Sequence, residues 1–182
     1  MRFTVSSTAL SSKLNALSRV INSKNSLPIL ADFLFDIQSG ILYLTASDSE
    51  NVMNTQLELT ESDYDGRFAI PNHDLLEAVK GFSEQPITFD VNQDTNIAKI
   101  SYQNGMFSLP VENADEFPRA QSIGDEATEI VISNGMLAEN ITRTLFATAQ
   151  DELRPVMNGI FFDLTDEGLS IVASDGHKLV RN

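Results

Sequence analysis

The sequence contains no cysteine, no tryptophan and only two histidines. Without cysteine, the chain can form no disulfide, no thiolate metal site and no cysteine nucleophile. It has no run of about 18 apolar residues, so it offers no candidate transmembrane helix. Residues 1–25 carry four cations but lack the apolar core of a signal peptide. A cytoplasmic protein is the simplest interpretation.

Positive charge is also scarce. Twelve Lys and Arg residues stand against 26 Asp and Glu residues, which gives a formal net charge of −14. An acidic surface repels phosphate, so the total charge argues against nonspecific nucleic-acid binding. The distribution of the few cations therefore matters more than their number.

Motifs of common enzymes are absent: there is no P-loop, no G-x-G-x-x-G, no H-E-x-x-H and no G-x-S-x-G. Asp175, Gly176 and His177 place an acid beside a histidine, but members of a hydrolytic triad are rarely adjacent in sequence, so a turn after a strand is favoured. Residues 61–66 imitate the start of an EF-hand loop, yet the twelfth position is Asn72 instead of glutamate. The sequence thus predicts neither an enzyme nor a metal site.

The dominant feature is a stretch that occurs twice. Residues 28–48 and 155–175 align without a gap at a constant offset of 127, and both end in Ala-Ser-Asp. The same offset pairs Ser6 with Ser133 near the start of each copy. An ungapped repeat of domain length predicts two copies of one domain, of which the second comprises 55 residues.

Hydrophobic periodicity predicts two consecutive β-α-β-β-β units in residues 1–112, and hence an α+β fold with helices on one face of antiparallel sheets. The first helix has an apolar stripe of Leu10, Leu14, Leu17 and Ile21. The predicted strands are 2–6, 32–38, 41–48, 51–59, 66–70, 86–92, 97–102 and 105–111, and the predicted helices are 8–21 and 72–82.

A third unit follows the polar, acidic segment 112–127. We expect a first domain over 1–120, a linker over 121–127 and the first half of a second domain over 128–182. Its predicted elements are a strand at 128–133, a helix at 134–149 with Leu137, Ile141 and Leu145 inward, and strands at 159–164 and 169–174.

The cations concentrate on the predicted helices. Lys13, Arg19, Lys80 and Arg143 lie mostly away from the apolar stripes, and Lys24 and Arg154 follow helices at corresponding points of the repeat. Only Asp74, Glu77 and Glu139 offset them on those helices. If the helices share one side of the molecule, that side is basic within an acidic shell. The alternative is that these helices simply collect Lys and Arg for solubility.

Phe107 and Leu109 alternate with Ser108 on the last predicted strand of the first domain. On an exposed edge strand they would invite pairing with another chain. The alternative is that they form the core-facing side of an ordinary strand.

Several motifs together resemble one known family. They are MRFTVSSTAL at the chain start, LPIL at 27–30, LTASDSE at 44–50, FSLP at 107–110, DEFP at 115–118, RPVMNGIFFD at 154–163 and ASDGHKL at 173–179. The whole chain resembles the bacterial DNA polymerase III beta subunit family, the sliding clamps, and the MNGIFFD and ASDGHKL motifs at this spacing are highly specific.

The resemblance implies a non-enzymatic processivity factor that uses no cofactor. Two subunits of three domains each close head to tail into a ring around double-stranded DNA, with helices facing the phosphates and sheets outside. The implied protein partners are the DNA polymerase III alpha subunit, the clamp loader and repair polymerases, which bind through short linear motifs.

The resemblance also assigns residues. The implied DNA contacts are Lys24, Arg19, Lys13, His73, Lys80, Arg143 and Arg154. His73 stands where the family has a basic residue, and Asp151 where it can have Gln, which weakens both contacts. The implied partial peptide pocket is Met157, Ser174, Gly176, His177, Lys178 and Leu179, and the implied subunit interface is Phe107 and Leu109.

Set against the family, the chain lacks the later part of domain two and all of domain three, so we expect no closed ring of the usual kind. Two copies could instead pair their half-domains across a two-fold axis. The alternative function is an acidic α+β module that binds peptides and makes no DNA contact.

Overall fold

The computed structural model describes residues 1–22, 27–48, 50–118, 124, 127–151 and 153–182. It contains two compact units, Met1–Ser122 and Ile123–Asn182, here called unit 1 and unit 2. The finer division into domain, linker and half-domain stays a prediction, because most of the linker lies outside the described residues. No helix in the described part of the chain is long and apolar enough to cross a membrane.

Unit 1 carries helices and strands in the predicted order. Its helices are α1 (Ser7–Leu17) and α2 (Asn72–Val79), and its strands are β1 (Arg2–Ser6), β2 (Asp32–Gln38), β3 (Ile41–Ser47), β4 (Val52–Glu58), β5 (Glu61–Ser62), β6 (Gly66–Pro71), β7 (Pro86–Asn92), β8 (Ile97–Tyr102) and β9 (Gly105–Pro110). Short 3-10 helices span Pro28–Ala31 and Ala114–Glu116.

The two halves of unit 1 exchange their first strands. One sheet has the order β5-β1-β7-β8-β9 and the other β4-β3-β2-β6, with neighbouring strands antiparallel. Strand β1 begins the first half but pairs with β7 of the second half, and β6 begins the second half but pairs with β2 of the first. The α+β prediction with repeated β-α-β-β-β units is confirmed, and the exchange interlocks the two halves.

Four phenylalanine rings join the two sheets at the centre of unit 1. Phe3 stacks on Phe89 at 4.8 Å between ring centroids, and Phe35 stacks on Phe68 at 5.0 Å. Tilted contacts at 6.3 and 6.0 Å connect these two pairs. All four side chains are buried. Because each stacked pair joins one strand from each half, this cluster holds the halves together.

The first helix is shorter than its apolar stripe predicts. Ser6 caps it by accepting the backbone N–H of Ala9, but α1 ends at Leu17 instead of residue 21. Beyond Leu17, the N–H of Val20 bonds to the carbonyl of Leu17 three residues back, a tighter turn in which the β-branched pair Val20 and Ile21 is accommodated. Arg19 therefore lies in a turn and not on the helix.

The second helix also ends early. It stops at Val79, so Lys80 is its C-cap and Phe82 lies beyond it. Phe82 nevertheless packs against the core, with its ring 4.7 Å from that of Tyr102. The apolar pattern thus predicted burial correctly past the point where the helix ends.

Unit 2 repeats the first half of unit 1. It contains α3 (Asn134–Leu145), a 3-10 helix (Pro155–Asn158), β10 (Phe161–Thr165), β11 (Gly168–Ser174) and β12 (Leu179–Arg181), with the three strands in one antiparallel sheet in that order. Ser133 caps α3 through the N–H of Met136, just as Ser6 caps α1. The starts of α3 and β11 follow those of α1 and β3 by 127 residues, the offset of the sequence repeat.

The strand predicted at residues 128–133 does not form, so that prediction is wrong. In unit 1 the corresponding strand, β1, pairs with a strand from the other half, and the described residues of unit 2 match only a first half. Residues 128–132 consequently make no backbone hydrogen bond with any residue that the structure describes. Val131 is 88% exposed.

The end of α3 also differs from the prediction. The helix ends at Leu145 instead of residue 149, and Leu145, predicted to face inward, is 56% exposed. The buried position is Thr144, whose hydroxyl donates to the carbonyl of Asn140 at 2.7 Å. The inward stripe runs through Leu137, Ile141 and Thr144, so the next residue points about 100° away from it.

Candidate nucleic-acid and peptide interfaces

Four of the predicted DNA-contacting residues belong to the helices of unit 1 or their ends. Lys13 is half-exposed on α1, and Arg19 is exposed in the turn that follows it. His73 is exposed in the first turn of α2, and Lys80 is exposed at its C-cap. Since α1 packs against α2, these side chains belong to one helix layer, which we call the helix layer of unit 1. Lys24 lies outside the described residues.

Acidic neighbours offset part of this charge. The Lys80 ammonium lies 3.5 Å from the Glu77 carboxylate, and the Nδ1 atom of His73 lies 3.4 Å from the Asp74 carboxylate. Lys13 and Arg19 form no ion pair with a residue that the structure describes. Arg19 thus has the least compensated charge of the exposed candidates in unit 1.

Both predicted DNA-contacting residues of unit 2 are paired with acids. Arg143, in the last turn of α3, lies 2.5 Å from the Glu139 carboxylate, and Arg154 lies 2.8 Å from that of Asp151. Asp151 also accepts the backbone N–H of Leu153. Exposed ion pairs contribute about 0–1 kcal/mol, so a phosphate can replace the acid at little cost.

Four of the predicted peptide-contacting residues lie in a compact turn at the end of β11, namely Ser174, Gly176, His177 and Lys178. Asp175 accepts the backbone N–H groups of His177 and Lys178, both at 2.9 Å, and its other oxygen lies 2.6 Å from the Lys178 ammonium. The Ser174 hydroxyl donates to the Lys178 carbonyl. Gly176 has a φ of +89°, a backbone conformation that residues other than glycine rarely adopt. Asp175 therefore orders the backbone of this turn instead of orienting the His177 ring.

Unit 1 contains the same turn at the repeat offset. Asp48 accepts the backbone N–H groups of Glu50 and Asn51, at 3.1 and 2.7 Å. The shared Ala-Ser-Asp motif is thus a turn-forming motif in both units. The three residues after the aspartate differ between the two turns, and the fourth position is Asn51 in unit 1 and Lys178 in unit 2.

The turn in unit 2 should persist in acid. The Lys178 ammonium and then the backbone N–H groups hold the pKa of Asp175 well below its usual range. The carboxylate contribution to this turn is therefore present at neutral pH and lost only as pH falls through that lowered pKa. We expect Asp175→Ala to accelerate hydrogen exchange at the amides of His177 and Lys178 at pH 6, measured by NMR. Asp166→Ala, in the exposed turn before β11, should leave both amides unchanged, and equal acceleration by the two variants would contradict this account.

Two further segments frame this turn. The Met157 carbonyl accepts the Ala149 N–H at 2.8 Å, which ties the 3-10 helix of unit 2 to the chain beyond α3. A β-carbon at Gly176 would lie 3.1 Å from a guanidinium nitrogen of Arg154. Arg154, predicted only as a DNA contact, thus borders the predicted peptide pocket.

Exposed apolar side chains beside the pocket residues were missed by sequence reasoning. The missed residues are Leu153 and Val156, which are largely exposed on either side of Arg154 and Pro155, while the predicted pocket residue Leu179 is also exposed, at the start of β12. The sequence LRPVM carried a signal for them, because apolar residues flanking a proline turn have no helix or strand to bury them. Together they offer apolar contact area beside Met157.

The predicted subunit-interface residues lie on an edge strand, as expected. Strand β9 ends its sheet, and among the strands that the structure describes it pairs with β8 alone. Phe107 and Leu109 are half-buried against the core, and the Phe107 ring lies 6.4 Å from that of Phe82. The two interpretations of this pattern, an edge strand and a core-facing strand, therefore both hold. The side chains face the core, while the backbone edge of the strand is open. Their role in a subunit interface stays a prediction.

Comparison with known proteins decides the family. The family model for the N-terminal domain of the DNA polymerase III beta subunit matches residues 1–121. The family model for its central domain matches residues 131–182. The chain belongs to the DNA polymerase III beta subunit family. The resemblance that the sequence motifs indicated is thereby confirmed.

Relatives of this beta-subunit chain share its fold at low identity. The beta sliding clamp of Buchnera aphidicola subsp. Rhopalosiphum padi is 28% identical over 181 residues, which cover 98% of this chain and 48% of that protein. The crystal structure of the DNA polymerase III subunit beta from Pseudomonas aeruginosa matches with a TM-score of 0.91 at 26% identity, covering 100% of this chain and 49% of that one. The chain spans about half the length of the curated relatives that it matches.

Proposed function

We propose that this chain acts in DNA replication as part of a sliding clamp, a processivity factor that surrounds duplex DNA and tethers the replicative polymerase. The observation that carries the proposal is the placement of cations in a chain of net charge −14. Lys13, Arg19 and Lys80 all belong to the helix layer of unit 1. Family membership supports the proposal, since the relatives are named beta sliding clamps.

The proposed DNA contact is electrostatic and independent of base sequence. Lysine and arginine side chains at the helix ends reach phosphates, while the rest of the acidic surface repels them. Such contacts are weak and exchange readily, which permits sliding. A clamp of this kind holds DNA by enclosing it, so weak contacts suffice and no catalytic group or cofactor is required.

Partner recognition is proposed at the turn of unit 2. Met157, Leu179 and the turn 174–178 would form one wall of a pocket for short extended peptides with apolar side chains. The proposed partners are the DNA polymerase III alpha subunit, the clamp loader and repair polymerases. Leu153 and Val156 would extend this apolar wall, and Arg154 would lie at its border.

Charge reversal on the helix layer tests the DNA contact. We expect the double variant Arg19→Glu and Lys80→Glu to weaken binding of the chain to a short duplex at least tenfold at about 20 mM salt. The slope of log K against log salt should become shallower by about 2, because two phosphate contacts are lost. Fluorescence anisotropy of a labelled duplex measures both quantities.

A matched control separates local from global charge. The double variant Lys99→Glu and Arg181→Glu changes the net charge equally, but both residues are exposed on strands. It should weaken binding much less than the helix-layer variant. Equal losses in the two variants, or no duplex binding by the unmodified chain, would favour the alternative, a peptide-binding module without DNA contact.

A further inference from the structure

The segment that follows β9 crosses from one sheet of unit 1 to the other. Residues 111–117, here called the strap, begin beside the turn before β8, where the Val111 N–H donates to the Asn96 carbonyl at 3.0 Å. The strap then reaches the open side of β6, where Glu112 and Ala69 exchange two backbone hydrogen bonds at 2.8 and 3.0 Å. It ends just before the part of the chain that connects to unit 2.

The strap covers the start of β2 and the 3-10 helix that precedes it. Its Ala114 and Phe117 side chains are 2% and 3% exposed, and they pack with Ile29, Leu30 and Leu34 in an apolar cluster separate from the main core. One isolated bridge and two small patches of apolar contact thus hold this part of the strap. Segments held by so few contacts open locally at a lower free energy than the whole domain unfolds.

A buried carboxyl group borders this contact. Asp32 is the first residue of β2, and it faces the same side of the sheet as Leu34 because strand side chains alternate. Asp32 is 5% exposed, and its Oδ2 atom has no hydrogen-bond partner among the described residues. Burial and then the negative charge of Glu112, a strap residue, raise the pKa of Asp32. The carboxyl group is therefore sensitive to the position of the strap.

The other charged groups near Asp32 do not compensate it. No ion pair among the described residues includes Asp32, and the 3-10 helix before it contains no titratable residue. Farther along the same face, Asp36 and Arg67 pair with each other at 3.4 Å. The remaining titratable residues on the flanking elements are exposed or half-exposed, namely Asp48, His73, Asp74, Asp115 and Glu116. Within the described chain, an ionised Asp32 thus faces Glu112 without an ion-pair partner.

We propose that the strap is a proton-controlled closure, which stays docked while Asp32 is protonated and opens more often once Asp32 ionises. A neutral carboxyl group tolerates burial, whereas a carboxylate without a partner is stabilised by regaining water. Release of the strap admits water to Asp32 and also removes Glu112, because Glu112 belongs to the strap. It exposes Ile29, Leu30 and Leu34 and adds residues 111–117 to the free connection between the two units.

The direction and size of the effect follow from proton linkage. The pKa of Asp32 is about 7 with the strap closed and returns toward its ordinary value of 3.8 when water reaches the group. Below about pH 4 both forms hold the proton, so the ratio of open to closed strap is constant. Between about pH 4 and about pH 7 this ratio rises by up to about tenfold per pH unit, and above about pH 7 it is constant again.

Amide hydrogen exchange of the unmodified chain gives the first test. The Glu112 amide reports opening of the strap, and the amide of Phe89, buried in a strand between β1 and β8, reports unfolding of the domain. After correction for the intrinsic pH dependence of exchange, Glu112 should be less protected than Phe89 and should lose at least about tenfold in protection between pH 5 and pH 7. Equal protection of the two amides at every pH would show that the strap opens only with the whole domain and would overturn the proposal.

Thiol labelling gives the second test, because the chain has no native cysteine. Ala114→Cys places a thiol at a position that the closed strap buries. Its rate of reaction with a pyridyl disulfide is measured at each pH with Asp32 present and again with Asp32→Asn, so that ionisation of the thiol cancels in the ratio of the two rates. This ratio should rise at least about tenfold between pH 5 and pH 7. A ratio that does not change with pH would refute control by Asp32.

Two further variants separate the Asp32 site from the total charge of the strap. Glu112→Gln removes the repelling carboxylate but leaves Asp32 buried, so it should make the rise in the labelling ratio smaller without abolishing it. Glu116→Gln removes an acid at an exposed strap position and should leave the rise unchanged. Equal reductions by these two variants would show that the net charge of the strap controls its opening and would contradict the proposed role of Asp32.

Discussion

Phe35→Ala should destabilise unit 1 by about 3–5 kcal/mol, the usual cost of removing a buried phenylalanine from a core. The Phe35 side chain is fully buried between the sheets and contacts the rings of Phe68 and Phe89. Its loss opens a cavity where the exchanged strands meet, so we expect both halves of unit 1 to lose stability together. A loss of this size approaches the whole unfolding free energy of a typical domain.

The repeat provides a matched control. Phe162 has the same residue type at the same position of the repeat, but 41% of it is exposed in unit 2. Phe162→Ala should therefore cost about 1 kcal/mol or less at concentrations where the chain is monomeric. Urea denaturation followed by circular dichroism compares the variants, and equal losses at Phe35 and Phe162 would contradict the assigned burial.

The stability of unit 1 should fall as pH rises from about 4 to about 7, because of Asp32. This carboxyl group is only 5% exposed at the start of β2, and its Oδ2 atom has no hydrogen-bond partner among the described residues. Burial first, and then the negative charge of Glu112, raise the pKa of Asp32 to about 7. The folded protein therefore holds a proton at pH values where the unfolded chain has released it.

The sign and size of the pH effect follow from that difference. A carboxyl group with a raised pKa costs nothing below its unfolded pKa, and its cost grows as pH rises until the folded group ionises. A shift from 3.8 to about 7 corresponds to about 4 kcal/mol as an upper limit. Asp32→Asn cannot ionise, so it should flatten the dependence of unfolding free energy on pH. Between pH 5 and pH 8 this variant should lose less stability than the native chain does.

Denaturant midpoints at several pH values measure this effect. Asp94→Asn is the control, because Asp94 is an exposed residue of the turn between β7 and β8. We expect that variant to retain the pH dependence of the native chain. A slope that survives Asp32→Asn would place the responsible proton elsewhere.

Local features of the chain were predictable from the sequence. The caps at Ser6 and Ser133, the inward leucines of α1 and the turns at Asp48 and Asp175 depend on residues within four positions of one another. Short-range hydrogen bonds and helical periodicity suffice to predict them. The family motifs were readable for a related reason, since they consist of contiguous residues.

The site was only partly predictable. The sequence predicted Lys13, Arg19 and Lys80 on helices, whereas Arg19 lies past the end of α1 and Lys80 is the C-cap of α2. Helix ends depend on which carbonyls find other partners, and apolar stripes continue past them. The position of Arg154 beside Gly176 brings together residues 22 positions apart and has no signature in the sequence.

The sequence by itself determined the repeat at an offset of 127, the α+β class and the family. Only the tertiary structure decided that β1 pairs with β7 and β6 with β2, and that residues 128–132 form no strand with any described residue of unit 2. The physical reason is that a strand is completed by its neighbours in the sheet. Similar patterns of apolar residues therefore form a strand where a partner edge is present and remain without regular structure where it is not.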